Sequence, residues 1–316
     1  MPGDIVMGTP APAADISAAG TEMDRLAALK LGKPSRRNRH LVSAVLVLLL
    51  VLAVIDLVQR PAFLWPVFFS YFFAPQVLQG VAVTVELTVM SMVLALALAM
   101  VLAVMRLSDN AVLRWLSAGY VAIFRAVPLL VLIILIFNVA LLYPTASIGI
   151  PFGPQLWSQP TNSLVTAYVA AVIAFGTYQA AYTSEAIRAA LLAVPAGQHE
   201  AAKALGMPPG LAFRRIIVPQ ALRIAIPSLG NEAIHLLKGA TMVAFISVND
   251  LLNVVQTIYN RTFQVIPLLM VACAWYMLMV AVMSVAQRQL ERLTSANAMP
   301  ADSDAPAPAV PAGPTL

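Results

Sequence analysis

The stretch EAAKALG, residues 200–206, is the most informative part of this chain, because it lies in a polar, alanine-rich island between two long apolar runs. The island spans about 35 residues, which is too long for a simple turn and too regular for a tether. The turn signal VPAG at 194–197 precedes the stretch, and Pro208 and Pro209 follow it. These signals predict a short helix from about 198 to 205.

Several residues of this predicted helix have a structural reason to be there. Gly206 is placed as a C-terminal cap, since glycine adopts the left-handed conformation that ends many helices. Glu200 falls in the predicted first turn, where a carboxylate suits the helix dipole. Ala201 and Ala202 are small enough to let another backbone approach closely. The helical signals alone leave open a plainer alternative, a solvated loop that only connects two membrane-spanning segments.

The composition indicates that lipid surrounds most of the chain. Of 316 residues, 60% are hydrophobic and only 10% are charged, whereas a soluble domain carries about 25% charged residues. So much apolar surface cannot be hidden in one core. The single cysteine, Cys273, allows no disulfide within the chain, and the three scattered histidines do not indicate a metal site.

The apolar runs predict an all-α, polytopic membrane protein with six transmembrane helices of about 20 residues or more. The predicted spans are 41–59, 78–105, 117–143, 163–187, 220–253 and 264–287. The aromatic segment 60–77 is broken by prolines and is predicted to lie at the membrane interface, and 144–162 is predicted to be a loop. The tails at 1–40 and 291–316 are predicted to be disordered.

The basic residues predict how these spans are oriented. Fifteen of the nineteen lysines and arginines fall on one side of the six spans. The connections on the opposite side contain only Arg60 and Arg261. Because basic residues stay in the cytoplasm, both termini and the stretch 200–206 are predicted to be cytoplasmic, and 60–77 to be extracytoplasmic. The net charge of +5 therefore reflects membrane topology rather than binding to nucleic acid.

Polar side chains within spans are costly, and they mark a candidate path for a solute. The candidates are Glu86, Arg125, Gln179, Glu185 and Lys238. Each has a structural alternative: Glu185 can pair with Arg188 on one helix face, and Arg125 can donate to backbone carbonyls. Apolar packing has candidates as well, since small residues in the second span let helices approach closely. These small residues are Ala95, Ala97 and Ala99.

The island resembles a motif of the membrane subunits of bacterial ABC importers. That motif reads Glu-Ala-Ala, three residues, Gly, nine residues, Ile, one residue, Leu-Pro, and this chain departs from it only at Val218. The segment FRAVPLL at 124–130 is similar to the Phe-Arg-Gly-Thr-Pro-Leu-Leu segment of the polar amino-acid permeases, with Ala126 and Val127 as departures. The segments 179–206 and 213–231 resemble that group more closely still.

The resemblance covers roughly residues 78–290 and implies a five-helix type I importer core, preceded by an extra helix at 41–59. It implies that 195–215 is a cytoplasmic coupling segment that receives motion from a separate ATPase subunit. The residues implied in that contact are Glu200, Ala201, Ala202 and Gly206. It further implies a second permease subunit, identical or paralogous, and a periplasmic solute-binding protein that engages 60–77 and 144–162.

These features predict a multi-pass permease subunit of the bacterial inner membrane that imports polar amino acids. The chain has no G-x-x-x-x-G-K-[ST] phosphate loop, so we expect no catalysis and no cofactor in this chain, with ATP and magnesium in the partner ATPase. The alternative is a secondary amino-acid transporter driven by an ion gradient, which uptake without ATP would identify. An intramembrane enzyme would need a catalytic dyad, which the histidines do not provide.

Overall fold

The computed structural model describes residues 36–149 and 155–295, and these residues are mostly helical. The α-helices are α1 (Arg36–Val58), α2 (Trp65–Phe72), α3 (Pro75–Leu107), α4 (Ala111–Ala126), α5 (Leu129–Phe137), α6 (Thr161–Leu164), α7 (Ala167–Leu192), α8 (Ala196–Ala204), α9 (Pro209–Ala212), α10 (Val218–Gly239), α11 (Leu251–Thr262) and α12 (Val265–Ser295). Short 3-10 helices occupy Pro61–Phe63, Val139–Leu141 and Ala240–Ile246, and a π-helix occupies Phe213–Ile217.

The chain divides into two compact units, residues 1–61 and 62–316. The first unit contains α1, an apolar helix in which the leucines and valines from Leu41 to Val54 are exposed, as suits a helix surrounded by lipid. It covers the predicted span at 41–59. The rest of the two predicted tails lies outside the described residues, but α1 already begins at Arg36 and α12 continues to Ser295.

The second unit is built around α3 and α7, which pack along each other. Small residues of α3 recur every fourth position and are fully or almost fully buried: Ser91, Ala95, Ala99 and Ala103. On α7, Gly176 lies so close to Leu94 that an added Cβ would sit 2.5 Å from a leucine methyl group. Small side chains therefore allow the close approach. The predicted role of Ala97 in packing is wrong, because a residue two positions from Ala95 and Ala99 lies on another helix face, and Ala97 is exposed.

Two interruptions divide the predicted spans of the second unit. The predicted span 117–143 consists of α4 and α5, which bend by 100° at the break. Pro128 causes the break, since it disfavours helical geometry in the residue before it. In the predicted span 220–253 the helical segment ends at Ile246. The next helix, α11, is bent by 47° from it. At that break Ser247 takes a left-handed conformation, with φ 59°.

The predicted number of six spans is not confirmed. Among the described residues, two helices are long and apolar enough to cross a membrane, Pro75–Leu107 and Val265–Thr294, and up to five spans result if three interrupted helix pairs each count as one. The predicted span 163–187 corresponds to α7, which is absent from that count. Half of its residues are buried, and they are largely Ala, Gly, Ser and Thr, because protein rather than lipid surrounds this helix.

A buried set of close contacts, called here the α3–α11 junction, joins the N-terminal part of α3 to the start of α11. Asp250 is fully buried and caps α11, accepting hydrogen bonds from the backbone N–H groups of Leu252 and Asn253. Thr84 accepts from the Leu251 N–H at 3.1 Å. A Cβ at Gly80 would lie 2.9 Å from the Leu251 Cα, so the two backbones touch directly at this point.

The all-α prediction is confirmed, except that the described residues contain one small hairpin. In the predicted loop 144–162, β1 (Thr145–Gly149) pairs antiparallel with β2 (Gln155–Pro160), and Thr145 lies opposite Pro160. The predicted interfacial segment 60–77 contains the aromatic helix α2. The Trp275 indole N–H donates to the Phe72 carbonyl at 2.8 Å, and their rings stack. This contact fastens α2 to α12.

Candidate functional site

The first candidate site is α8, which ends in a complete Schellman motif. The Gly206 N–H donates to the Lys203 carbonyl and the Met207 N–H to the Ala202 carbonyl, both at 3.0 Å. Gly206 has a φ of +68°, a conformation that glycine adopts without strain. The predicted cap at Gly206 is therefore confirmed. The expectation for Glu200 is wrong, because α8 begins two residues earlier than predicted, at Ala196, and Glu200 falls in the second turn.

The outer face of α8 is exposed in the described part of the chain. Glu200, Ala201 and Ala204 are exposed, and Leu205 is 77% exposed. Ala202, by contrast, is buried on the inner face. The four motif residues thus separate into two roles, since Ala202 holds α8 to its neighbours while Glu200, Ala201 and Gly206 present an open surface.

The segment after α8 anchors it to the helix bundle. Ile217 is buried in a cluster of small and aliphatic residues from three helices, including Ala99 of α3, Ile187 of α7 and Ala221 of α10. The Gln220 amide of α10 donates to the Gln198 side chain of α8 at 3.2 Å. The π-helix at Phe213–Ile217 runs directly into α10. α8 is therefore connected to α10 both along the chain and by a side-chain hydrogen bond.

The second candidate site is a cavity of about 390 Å³ between α7 and α10. Its lining contains two runs spaced i, i+3, i+4, i+7, which are Phe175, Tyr178, Gln179 and Tyr182 on α7, and Glu232, His235, Leu236 and Gly239 on α10. The Gln179 amide donates to the Glu232 carboxylate at 2.6 Å, and the hydroxyls of Tyr178 and Tyr182 lie 3.1 Å apart. The cavity therefore offers a carboxylate, an amide and two phenols.

Arg125 brings a positive charge to the edge of this cavity. Its guanidinium carbon lies 4.8 Å from the centre of the Tyr182 ring, a cation–π distance. The observed partner is thus an aromatic ring rather than the backbone near Pro128. Opposite charges from α4 and α10 consequently face the α7 surface from two sides.

The other three candidate residues lie away from the cavity lining. Glu185 makes an ion pair with Arg188, with 2.7 Å and 2.9 Å contacts to one carboxylate oxygen, which is the alternative that the spacing offered. Glu86 is exposed on α3 and lies beside Tyr168. Lys238 is exposed on the last turn of α10, one residue before Gly239. The place of these three residues on a solute path stays a prediction.

The sequence analysis did not single out Tyr178, Tyr182 or His235 as site residues. The signal that finds them is periodicity: polar and aromatic residues at i, i+3, i+4 and i+7 share one helix face. That pattern occurs twice in the cavity lining, once on α7 and once on α10. Among the residues that the structure describes, no group of three His, Cys, Asp or Glu could hold a metal ion.

A lipid-facing helix bundle with a polar cavity and a short capped helix projecting from its surface defines a membrane transport component. A family model described as the binding-protein-dependent transport system inner membrane component matches residues 93–295. The chain belongs to that family. It is thus a transport permease component of an inner membrane, and the match spans both candidate sites.

Characterised relatives and solved structures agree with this assignment. An arginine transport system permease protein of Corynebacterium glutamicum is 34% identical over 262 residues, covering 82% of this chain and 81% of the relative. A histidine/lysine/arginine/ornithine transport system permease protein of Salmonella typhimurium is 35% identical over 197 residues, covering 61% and 82%. A chain from a crystal structure of an amino acid ABC transporter with histidines is 30% identical with a TM-score of 0.60, covering 73% and 98%.

A more distant structure shares the fold alone. A chain of the MetNI methionine ABC transporter in an inward-facing conformation is 19% identical, with a TM-score of 0.54, and covers 75% of this chain and 99% of that one. This chain and that one therefore share a fold although their sequences are only 19% identical.

Proposed function

We propose that this chain is the membrane subunit of an ATP-driven importer of polar amino acids, and that α8 receives motion from a separate ATPase subunit. The observation that carries the proposal is the capped helix α8, whose outer face is exposed while its inner face is buried against the bundle at Ala202. A helix held in this way is a rigid projection. Its exposed Leu205 and Glu200 offer an apolar and a charged contact to a partner.

The connection between α8 and the cavity supports a mechanical role. α10 begins directly after the π-helix, and Glu232 lies fourteen residues along it, about 21 Å at 1.5 Å per residue. A push on α8 therefore shifts α10 against α7. Because Gln179 and Glu232 join these two helices across the cavity, such a shift changes the cavity that a solute would enter.

The chemistry of the cavity fits an amino acid. A zwitterion needs an acceptor for its ammonium group and a positive partner for its carboxylate. Glu232 supplies the first, and Arg125 at the cavity edge supplies the second. The relatives named for transport of arginine and of histidine, lysine, arginine and ornithine support a polar amino acid as the substrate class. Glu86, Glu185 and Lys238 are proposed for the remainder of the path.

The assembly we propose has further subunits. Two ATPase subunits carry the ATP and magnesium, a second permease completes the membrane part, and a solute-binding protein docks on the side of β1, β2 and α2. Both termini and α8 are cytoplasmic in this arrangement, in keeping with the bias of basic residues. The N-terminal tail 1–40, the extra helix 41–59 and the C-terminal tail 291–316 lie outside the importer core at 78–290.

The energy source tests the proposal. The full chain would be purified from its native membrane with whatever subunits remain attached, and reconstituted into liposomes with the solute-binding protein. We expect uptake of radiolabelled amino acid only when ATP is supplied on the α8 side, and no loss when an ionophore dissipates ion gradients. Uptake that needs a gradient and ignores ATP would establish the secondary-transporter alternative instead.

A further inference from the structure

A basic cleft lies between the first half of α10 and the end of α12. It has a volume of about 520 Å³, and its lining consists of Arg223, Ile224, Pro227, Arg288, Glu291, Arg292 and Thr294. Three guanidinium groups and one carboxylate thus surround one cleft. Two of the arginines, Arg288 and Arg292, are four residues apart and share a face of α12.

One side chain fixes the spacing of the cleft walls. The Gln287 amide of α12 donates to the Pro227 carbonyl of α10 at 3.2 Å and to the Glu291 carboxylate at 2.9 Å. Gln287 also packs directly over Gly230, where an added Cβ would lie 2.4 Å from its side chain. The cleft walls are therefore held together by these contacts, and Glu291, the carboxylate among the described lining residues, accepts a hydrogen bond from Gln287.

The position of the arginines along α12 places the cleft at the edge of the membrane. Residues 265–287 contain no charged side chain, and 23 residues of helix span about 34 Å. The hydrocarbon core is about 30 Å thick. Arg288 and Arg292 consequently begin where the helix leaves the hydrocarbon, at the depth of the lipid headgroups.

The lining combines the two chemistries of an anionic lipid. Guanidinium groups bind phosphate oxygens in a paired geometry, while Ile224 and Pro227 provide apolar surface on the α10 side. A free phosphate would use only the arginines. A glycerophospholipid would use both, with its phosphate on the arginines and its glycerol and first acyl carbons on the apolar wall.

We infer that this cleft is a binding site for the phosphate headgroup of an anionic phospholipid of the cytoplasmic leaflet. The site is independent of the transport cavity and of α8. A lipid held there bridges α10 and α12, the two helices that Gln287 already joins, and steadies the first half of α10. Basic pockets between transmembrane helices at a cytoplasmic surface are suited to such headgroups.

The inference is tested by lipid binding to the full-length chain in detergent, followed by native mass spectrometry. Dioleoylphosphatidylglycerol is titrated against dioleoylphosphatidylcholine, and glycerol 3-phosphate serves as the free anion. We expect selective retention of phosphatidylglycerol. The double variant Arg288→Gln with Arg292→Gln is expected to weaken that binding about tenfold or more, since each arginine near a membrane surface contributes on the order of 1 kcal/mol.

The control is Arg214→Gln with Arg215→Gln, which removes the same charge from two exposed arginines outside the cleft. A second cleft variant, Ile224→Trp, keeps every charge and fills the apolar wall, so it should also lose phosphatidylglycerol. Size-exclusion profiles establish that each variant is folded.

Three results would overturn the inference. Equal loss in the cleft and control double variants would show diffuse attraction to the membrane surface. Competition by glycerol 3-phosphate as effective as the lipid would show a free-anion site. Unchanged lipid binding with loss of a copurifying protein in the cleft variants would show a protein-docking surface instead.

Discussion

At the scale of single residues, Gly206 combines a conformational demand with an open position. Its φ of +68° is left-handed, and nothing lies within 4 Å of an added Cβ. A non-glycine residue there is strained by about 1 kcal/mol, and Asn and Asp tolerate the conformation better than most. The need for glycine at position 206 is therefore conformational, and the surface beside it is open among the described residues.

That open space gives a sharp prediction for two nearly isosteric substitutions. Gly206→Asp is expected to abolish ATP-dependent uptake while leaving membrane insertion largely intact, because it adds a charge to the proposed docking face. Gly206→Asn keeps the size and the tolerated conformation without the charge, and should retain most uptake. Uptake in liposomes and the amount of protein in membranes are the measurements, and equal uptake by the Asp variant would remove Gly206 from the coupling surface.

The cavity leads to a second prediction at the residue scale. Glu232→Gln keeps the size of the side chain and removes its charge, so it is expected to raise the Km for amino-acid uptake about tenfold, as for loss of a charge-assisted bond of about 1.5 kcal/mol. Asp109→Asn, on an exposed connection between α3 and α4, is the matched control. If both variants shifted Km equally, Glu232 would be a structural partner of Gln179 only.

For Lys238, the sequence and the structure lead to different expectations about contact with the substrate. Its charge inside a predicted span suggested contact with substrate, whereas it is exposed on the last turn of α10 and outside the lining of the cavity. Lys238→Ala should therefore change the Km for the amino acid less than Glu232→Gln does. Kinetics of uptake across several amino acids would measure this, and a larger effect of Lys238→Ala would move the substrate path to its side of α10.

The sequence predicted the short helix α8 and its cap at Gly206, but it recovered only part of the cavity. A motif such as Glu200 to Gly206 is local, so its cap and its short helix follow from neighbours in the chain. The contact between Gln179 and Glu232 spans 53 positions, and its existence depends on how α7 and α10 are rotated. Glu185 illustrates the opposite difficulty. Its position inside a predicted span suggested a path residue, whereas its spacing from Arg188 allows the ion pair that the structure contains.

At the scale of elements, the junction between α3 and α11 is a close contact between two backbones. Gly80 touches backbone atoms, which cannot rotate away as a flexible side chain can. Thr84 and the cap at Asp250 fix the same junction. The break after Ile246 is therefore held in one geometry despite its left-handed Ser247.

Because Gly80 lies against the backbone of α11 at this junction, we expect Gly80→Ala to destabilise the protein by about 1–3 kcal/mol, the range for overpacking. Gly119→Ala is the control, because a Cβ at Gly119 meets nothing within 4 Å and alanine favours a helix by up to about 1 kcal/mol over glycine. Thermal unfolding in detergent compares the two. A Gly80→Ala variant as stable as Gly119→Ala would show that α3 and α11 separate easily.

Helix breaks were harder to predict than helices. Apolar runs predicted the positions of α3 and α12 well, because lipid-facing helices need continuous apolar residues. The run at 117–143 is also strongly apolar and the run at 220–253 is more polar, yet each contains a bend. Pro128 gave a local signal for the first bend, whereas the second depends on the buried Asp250, whose effect as a cap becomes evident only when its burial is known.

At the scale of the whole molecule, hydropathy describes the surface of the bundle better than its centre. α7 contacts several other helices and is rich in small residues, so it is less apolar than the helices that face lipid. Counting transmembrane helices from hydropathy therefore misses a helix that is surrounded by other helices rather than by lipid. The bias of the basic residues along the sequence still predicts that α8 is cytoplasmic.

The most direct test of the proposed coupling role is site-directed cross-linking in intact membranes. The exposed Cys273 is first replaced by Ser, and a cysteine is then introduced by Ala201→Cys on the outer face of α8. Asp109→Cys is the control on another connection of the same predicted side. We predict that Ala201→Cys forms a cross-link to an ATPase subunit and that Asp109→Cys does not. Labelling of Ala201→Cys by an impermeant reagent from outside the cell, or the absence of any cross-linked ATPase, would contradict the proposed coupling role.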